Sequence, residues 1–120
     1  MTSKPFILTA QDRLRLRNAV LERIPRGRRN AVRGRDLAHQ LGQNDDRKIR
    51  LIIRELISEG VPIASAVSEP MGFYIVANEQ EAASYIRVLK ERIREDGARL
   101  RDFEAACHQF SLPQQPPLFE

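Results

Sequence analysis

The chain has 120 residues, the size of one domain with room for an additional segment. Hydrophobic residues make up 42% and aromatic residues only 6%, with no Trp, which favours a mainly helical fold over an all-β sandwich. The one Cys excludes an internal disulfide, and no apolar run approaches the length of a membrane span. Together with the absence of a signal peptide, this predicts a cytoplasmic protein.

Positive charge is concentrated in the first half of the chain. Residues 1–60 carry 14 Lys/Arg and 7 Asp/Glu, whereas residues 61–120 carry 6 Lys/Arg and 9 Asp/Glu. A stretch without any acid holds six arginines, at positions Arg23, Arg26, Arg28, Arg29, Arg33 and Arg35. This asymmetry predicts that a polyanion would meet the first half, although a solvated arginine-rich surface explains the composition equally well.

The first two predicted helices are short and bounded by ordinary stop signals. Thr9 is the predicted cap of the first helix, and Pro25 ends it. A second helix is predicted from about Gly34 to Leu41, with Gly42 as its stop.

The third predicted helix, from Asp45 to Glu59, has the clearest pattern. Asn44 or Asp45 is its expected cap, with Asp45 and Asp46 in the first turn. Its apolar residues recur with helical period and predict one buried face made of Ile49, Ile52, Ile53, Leu56 and Ile57. A different face carries three cations in line, a geometry suited to phosphates: Arg47, Arg50 and Arg54.

After the third helix the period changes to that of strands. Residues 61–67 and 73–76 are predicted strands, joined by a turn at residues 68–72 into a β-hairpin. Asn78 and Glu81 resemble a capping box at the start of a fourth helix that runs to Phe110. Its apolar positions follow a heptad pattern: Ile86, Leu89, Ile93, Leu100, Phe103, Cys107 and Phe110. Asp96 fills the missing position, and Gly97 beside it predicts a kink or a break.

This order of elements, together with three segments, resembles the winged-helix proteins that are common in bacteriophages and other mobile elements. The segments are Gly34–Gly42, Asp46–Leu56, and Gly60–Ser65 followed by Gly72-Phe73-Tyr74. The resemblance implies a mainly α fold with a small β-hairpin, a winged helix-turn-helix followed by a long C-terminal helix. It also implies that the third helix is a recognition helix that enters the major groove of DNA.

The predicted organisation has three segments. Residues 1–77 form the winged-helix domain, and residues 78–110 form a long helix that docks on the domain or pairs as a coiled coil. We expect residues 82–110 to mediate homodimerisation. Residues 111–120 are rich in Pro and Gln, and we expect a flexible tail that orders on binding.

The resemblance assigns DNA contacts to cations of the third helix and of the preceding loop. Arg47, nearest the start of the helix, is the expected base contact, and Arg50 and Arg54 are the expected phosphate contacts. The full predicted DNA-binding set is Arg47, Lys48, Arg50, Arg54, Arg26, Arg28, Arg29 and Arg33. The alternative is that these arginines only keep a helix face and a loop in solution.

The turn between the two strands departs from the family pattern. Residues 68–72 contain no Lys or Arg and do contain Glu69, whereas a basic wing usually touches the DNA backbone. Either DNA binding is weak, or the domain is a protein-interaction version of the fold.

A short motif in the last residues is similar to the bacterial sliding-clamp binding peptide, a Gln followed after two residues by Leu-Phe. In this chain Gln115 would bind at the mouth of the clamp pocket, and Leu118 and Phe119 would fill it. Alternatively, these two apolar residues fold back on the body or mediate a contact between copies.

Enzymatic function is not expected. Cys107 and His108 are neighbours on a helix and point about 100° apart, so they form neither a nucleophile–base pair nor a metal face, and His39 is distant in sequence. We therefore expect no catalytic residues, metal or cofactor. The two hypotheses are a DNA-binding protein of transcription or replication control, and an adaptor that recruits a partner such as a replication clamp.

Overall fold

The structure, a computed structural model, describes residues 9–113. It is mainly α with a small antiparallel β-hairpin and a long C-terminal helix, which confirms the predicted fold class. The elements are α1 (Ala10–Arg23), α2 (Gly34–Gln40), α3 (Arg47–Ser58), β1 (Ile63–Ala66), β2 (Gly72–Ile75) and α4 (Glu79–Phe110). A single 3₁₀ turn, Arg28–Asn30, lies in the loop between α1 and α2.

Local signals set the ends of the first two helices. The Thr9 hydroxyl accepts a hydrogen bond from the Asp12 N–H at 3.0 Å, which satisfies one of the free donors at the start of α1. Ile24 leaves the helical conformation, with φ −69° and ψ 122°, as expected of a residue before Pro25. Gly42 adopts a φ of +70° after α2, a left-handed conformation that glycine adopts without a steric penalty.

The core lies where α1, α2 and α3 meet the hairpin. Leu37 of α2, and Ile49 and Leu56 of α3, are fully buried. The packed residues that complete this core are Val20, Ile24, Ala38, Ile52, Ile53, Ile63 and Ile75. Every element before α4 therefore contributes apolar area, and this burial is the main source of stability for the first part of the chain.

The loop between α1 and α2 runs along the outer edge of the hairpin. β1 and β2 pair antiparallel, with Ile63 opposite Ile75. On the other edge of β2, the backbones of Phe73 and Val32 exchange two hydrogen bonds, of 2.7 Å and 3.0 Å. The Ile75 N–H donates to the Pro25 carbonyl at 2.8 Å. A loop that carries several of the predicted DNA contacts is thus fixed to the hairpin.

The predicted start of α3 is wrong by two residues. The helix begins at Arg47 rather than Asp45, and its first turn contains no acid. The reason is that both aspartates lie before the first helical residue and bind residues of the helix with their side chains. The Asp45 carboxylate accepts a hydrogen bond from the Arg47 N–H at 3.0 Å, and Asp46, with φ −94° and ψ 11°, binds the side chain of Arg50.

Three other sequence predictions need correction. Ile57 was expected on the buried face of α3, but its side chain is 48% exposed because it lies at the edge of the apolar stripe. The strands are shorter than predicted, Ile63–Ala66 and Gly72–Ile75. α4 continues without a break through Gly97, because a single glycine lowers helix stability without removing a backbone hydrogen bond.

The first turn of α4 belongs to the packed part of the chain. By its contacts the chain divides into two units between Ala83 and Ser84, six residues beyond the predicted boundary at 77. Asn78 caps the helix, since its side-chain oxygen accepts the Glu81 N–H at 2.9 Å. Within residues 9–113, no helix combines the length and apolar character needed to cross a membrane.

Candidate nucleic-acid interface

One flank of α3 is occupied by α1. The Glu55 carboxylate is hydrogen-bonded and ion-paired to Arg13, and Glu59 is bound in the same way to Arg17. These pairs neutralise Glu55, the one acid within α3, and Glu59, the residue that follows its last turn, on the side that faces α1. The negative charge of the helix is therefore kept away from its outward surface.

The opposite flank of α3 contacts the hairpin through Arg50. The Arg50 Nε donates to the Asp46 carboxylate at 2.8 Å, and the guanidinium carbon lies 5.3 Å from the centre of the Phe73 ring. This distance is within the range of a cation–π contact. A Cβ added at Gly34 would come within 2.9 Å of Asp46 and 3.2 Å of Phe73, so the glycine leaves the room that this cluster occupies.

Between these flanks lies the outward surface of α3, which we call the α3 face: Arg47, Leu51, Arg54 and Ser58. At about 100° per residue these four positions fall on one line, opposite the buried isoleucines. All four are exposed, and Leu51 is 56% exposed. Within residues 9–113, neither Arg47 nor Arg54 has a hydrogen-bond or ion-pair partner for its side chain. The α3 face therefore presents two guanidinium groups around one apolar side chain.

Leu51 was not identified by sequence reasoning. It lies outside the buried stripe of the helix and carries no charge, so neither pattern assigns it a role. Its signal is nevertheless present in the sequence: it follows Arg47 by four residues and precedes Arg54 by three, so it must lie between them on one side of a helix.

The other predicted cations separate into exposed residues and residues with structural contacts. Arg26 and Arg29, in the loop before α2, are exposed. Lys48 is half-buried and lies about 100° around the helix from Arg47, so it is not on the α3 face. Arg50 is exposed but held by Asp46 and Phe73, as described above.

Arg28 binds the loop that would form the wing. Its guanidinium donates to the carbonyls of Pro70 and Ser68 at 2.8 Å and 2.9 Å, and to the Ser68 hydroxyl at 3.1 Å. Arg33 lies 3.7 Å from the carboxylate of Glu69, the acid of the same loop. These two arginines therefore hold and partly neutralise residues 68–72, and their side chains are less available to a ligand than the sequence suggested.

An open groove of about 400 Å³ lies between the hairpin and the starts of α2 and α3. Arg33, Arg35 and Arg50 contribute its cationic wall, and Met71 and Phe73 contribute apolar surface. The groove is continuous with the flank of α3 that carries Arg50. A ligand on the α3 face would thus meet further positive charge beside it.

Glu81 connects the start of α4 to the arginine-rich loop. Its carboxylate accepts the Ala77 N–H at 2.9 Å and the Arg28 N–H at 3.0 Å, instead of the Asn78 N–H that a capping box would use. These two backbone hydrogen bonds, from Ala77 first and then Arg28, hold the pKa of Glu81 below its usual range, and the charges of Arg28 and Arg29 act in the same direction.

The remaining candidate groups are separate from this surface. His39 and His108 are exposed and Cys107 is half-buried. Among the residues that the structure describes, no three His, Cys, Asp or Glu side chains are grouped closely enough to hold a metal ion. The predicted clamp-binding residues, Gln115, Leu118 and Phe119, lie outside the described residues.

No protein-family model, no curated protein and no solved structure matches the chain. Its function is therefore inferred from the α3 face and the residues that surround it.

Proposed function

We propose that this chain is a non-enzymatic, cytoplasmic DNA-binding protein of the winged-helix type. Its role is transcription or replication control, and by the resemblance of its sequence its origin is a phage or prophage. In this proposal α3 is the recognition helix and double-stranded DNA is the partner.

The observation that supports the proposal best is the α3 face. A helix in the major groove needs an outward surface that carries donors for phosphate or base edges, and unpaired acids beside them would be repelled by the phosphate backbone. Glu55 in α3 and Glu59 just after it are bound to α1, while Arg47 and Arg54 extend into solvent. The arginines are evident from the sequence alone, and the ion pairs with α1 explain why the two acids that follow Arg54 do not oppose DNA.

The positions on the face suggest different roles. Arg47 lies in the first turn of α3, the part of a recognition helix that reaches base edges, and an arginine there can bind guanine through two hydrogen bonds. Arg54, two turns later, is placed for a phosphate. Leu51 between them offers an apolar contact for the methyl group of thymine. Arg26 and Arg29 supply backbone contacts beside the helix.

The decisive experiment compares two double variants by fluorescence anisotropy on a mixed-sequence duplex at low and moderate salt. Arg47→Ala with Arg54→Ala removes both cations of the α3 face. Arg87→Ala with Arg101→Ala removes the same charge from exposed positions of α4 and is the matched control. We expect the first variant to bind several-fold more weakly, because binding to a duplex of mixed sequence is supplied mainly by cations that neutralise phosphates. The log–log salt slope should fall by about 1 for the lost phosphate contact.

Equal loss in both variants would show that only net charge matters, and α3 would not be a recognition helix. Unchanged binding in the first variant would contradict the proposal directly. Circular dichroism of both variants checks that the fold is retained.

The role of Leu51 has its own test, once a preferred site has been selected from random duplexes. Replacing thymine by uracil in that site removes only the methyl groups. We expect the wild-type chain to lose affinity on this change at one or more positions, and Leu51→Ala to be insensitive at the same positions. If both chains respond alike, Leu51 does not read the methyl group.

The alternative function, an adaptor for a partner protein, is favoured by the loop at residues 68–72. This loop exposes Glu69, 79% accessible at its side chain, and Arg28 and Arg33 are engaged in holding it. A partner such as a sliding clamp would be captured by Gln115, Leu118 and Phe119. Deleting residues 115–120 should abolish capture of purified clamp and leave DNA binding intact.

Self-association is compatible with either proposed function, DNA binding or partner recruitment. α4 has no buried residue along its length, and its heptad positions are exposed except for Cys107, which is half-buried. We propose that residues 82–110 mediate a homodimer, which sedimentation equilibrium of the full chain at micromolar concentration tests.

A further inference from the structure

The heptad positions of α4 form one line along the helix, which we call the α4 seam: Ile86, Leu89, Ile93, Asp96, Leu100, Phe103, Cys107 and Phe110. Its apolar side chains are exposed except for Cys107, which is half-buried. Ile93, Phe103 and Phe110 are 72%, 67% and 78% exposed. Two phenylalanines and an isoleucine at this exposure are costly in water, and they share a face at the spacing of a coiled coil.

We infer that the α4 seam pairs with the α4 seam of a second copy in the antiparallel orientation. This rests on the self-association proposed above and adds the direction in which the two helices run. A coiled coil can be parallel or antiparallel, and the two arrangements bring different residues together.

The spacing of the seam permits both directions. Successive seam residues are separated by 3, 4, 3, 4, 3, 4 and 3 positions, a pattern that is the same read forwards or backwards about residue 98. A parallel pair places each residue against its own copy. An antiparallel pair places Ile86 against Phe110, Leu89 against Cys107, Ile93 against Phe103 and Asp96 against Leu100. Each arrangement uses all eight positions.

Asp96 distinguishes the parallel from the antiparallel arrangement. In a parallel pair the two Asp96 carboxylates face each other between the apolar layers of Ile93 and Leu100, where like charges repel and have lost water. In an antiparallel pair Asp96 faces Leu100 of the second copy. The two carboxylates are then about 6 Å apart along the axis, four residues at 1.5 Å each. Each also lies beside Arg99 of the other copy, which compensates its charge.

The flanking charges allow either direction. Lys90 and Glu104 face each other across an antiparallel seam, whereas Arg99 and Glu104 do so across a parallel one. Opposite charges meet in both cases. The antiparallel pair also brings the two Arg99 side chains near each other, but each then lies beside an Asp96 carboxylate that compensates it, so the flanks do not offset the cost of the Asp96 pair in the parallel arrangement. The acid in the seam therefore decides the orientation.

The volumes of the seam side chains also favour the antiparallel orientation. A parallel pair stacks Phe103 on Phe103 and Cys107 on Cys107, which gives one crowded layer and one under-filled layer. The antiparallel pair sets Phe103 against Ile93 and Cys107 against Leu89, so large and small residues alternate across the interface and fill it evenly.

Cys107, the only cysteine of the chain, gives a direct test. In the antiparallel pair the two Cys107 residues are separated along the axis by 18 positions, about 27 Å, far beyond the reach of a disulfide. Mild oxidation of the full wild-type chain with diamide should therefore give no covalent dimer. Leu89→Cys places a second thiol opposite Cys107 of the other copy, and this variant should cross-link. Leu89→Cys with Cys107→Ala is the matched control and should not.

A second measurement needs no substitution. A nitroxide spin label on the native Cys107 should report an inter-label distance consistent with about 27 Å of axial separation, and a parallel pair would give strong short-range coupling instead. Covalent dimers of the wild type and of the control variant would show a parallel pair. That result would contradict the antiparallel orientation but not the homodimer. A monomeric mass with no cross-linking in any variant would contradict both the orientation and the homodimer, and it would not affect the DNA-binding proposal, which has a separate test.

Discussion

α3 and α4 are both amphipathic helices, yet one is built into a core and the other is not. α3 buries Ile49, Ile52, Ile53 and Leu56 against α1, α2 and the hairpin. α4 has seven apolar residues at the same kind of spacing and none of them is buried. Periodicity tells which residues share a face, and the elements that surround a helix decide whether that face leaves water.

The strongest test of this comparison is the same substitution in the two helices. Leu56→Ala removes a fully buried side chain of α3 and should lower the free energy of unfolding by about 2–5 kcal/mol. Leu100→Ala removes a side chain that is 59% exposed and should leave the unfolding of the first unit nearly unchanged. Hydrogen exchange of the α3 backbone amides at low protein concentration measures both effects.

Leu100→Ala should instead weaken self-association, because it shortens the α4 seam. If Leu100→Ala destabilised the monomeric chain as much as Leu56→Ala, the contrast between the two helices would be wrong.

A second test uses one glycine from each region, Gly72 at the start of β2 and Gly97 within α4. A Cβ at Gly72, where φ is +128°, would lie 2.1 Å from the Val32 carbonyl oxygen. Gly72→Ala should therefore cost at least about 2 kcal/mol through backbone strain and displacement of the loop. At Gly97 the nearest atom is the end of the Arg101 side chain at 3.6 Å, and Gly97→Ala should stabilise α4 by about 0.5–1 kcal/mol.

Urea unfolding measures the change in stability of Gly72→Ala. Thermal loss of helical circular dichroism measures the change for Gly97→Ala. A destabilised Gly97→Ala would indicate that the α4 backbone approaches another element at that point.

The smallest expected effect concerns Glu81, in the first turn of α4, close to the end of the packed unit. Because the pKa of Glu81 is lowered in the folded state, its charge contributes stability that is present above the ordinary glutamate pKa, about 4.3. That contribution is lost as the pH falls through the lowered value. Glu81→Gln removes the charge and replaces one of the two accepting oxygens by an NH2 group that cannot accept an N–H. It should therefore be less stable than wild type at neutral pH, and the difference should become smaller in acid.

Urea midpoints at neutral and acidic pH measure this convergence. Glu79→Gln, which leaves the bonds of Glu81 to Ala77 and Arg28 in place, is the matched control. A difference between Glu81→Gln and wild type that persisted unchanged in acid would assign the effect to geometry instead of charge.

The sequence predicted the features that depend on near neighbours. These features are the Thr9 cap, the end of α1 before Pro25, the buried stripe of α3 and the helical spacing of the apolar residues of α4, all of which follow from interactions within a few residues. Exposure of Ile57 was not predicted, because the edge of a stripe is buried only if a neighbouring element reaches it. Of the two expectations at Gly97, a kink or a break, the break does not occur, since one glycine weakens a helix without ending it.

Most of the candidate site depends on contacts between residues that are distant in sequence. The sequence therefore could not show which cations are free for a ligand and which are held by other residues. Arg28 binds Ser68 and Pro70, 40 and 42 positions away, and nothing near Arg28 in the chain indicates this. The same is true of Glu55, whose pairing with Arg13 in α1 spans 42 positions. Composition predicted a cationic surface; only the fold shows which cations remain available.

The outer edge of β2 has a consequence for how copies of this chain can meet. The four outward backbone groups of Phe73 and Ile75 are bonded to Pro25, Gly27 and Val32. An unpaired strand edge is a template on which another chain can add a strand, and such edges are a common start of aggregation. Here the arginine-rich loop fills that edge, so the small sheet cannot grow on the β2 side by joining a neighbour's strand.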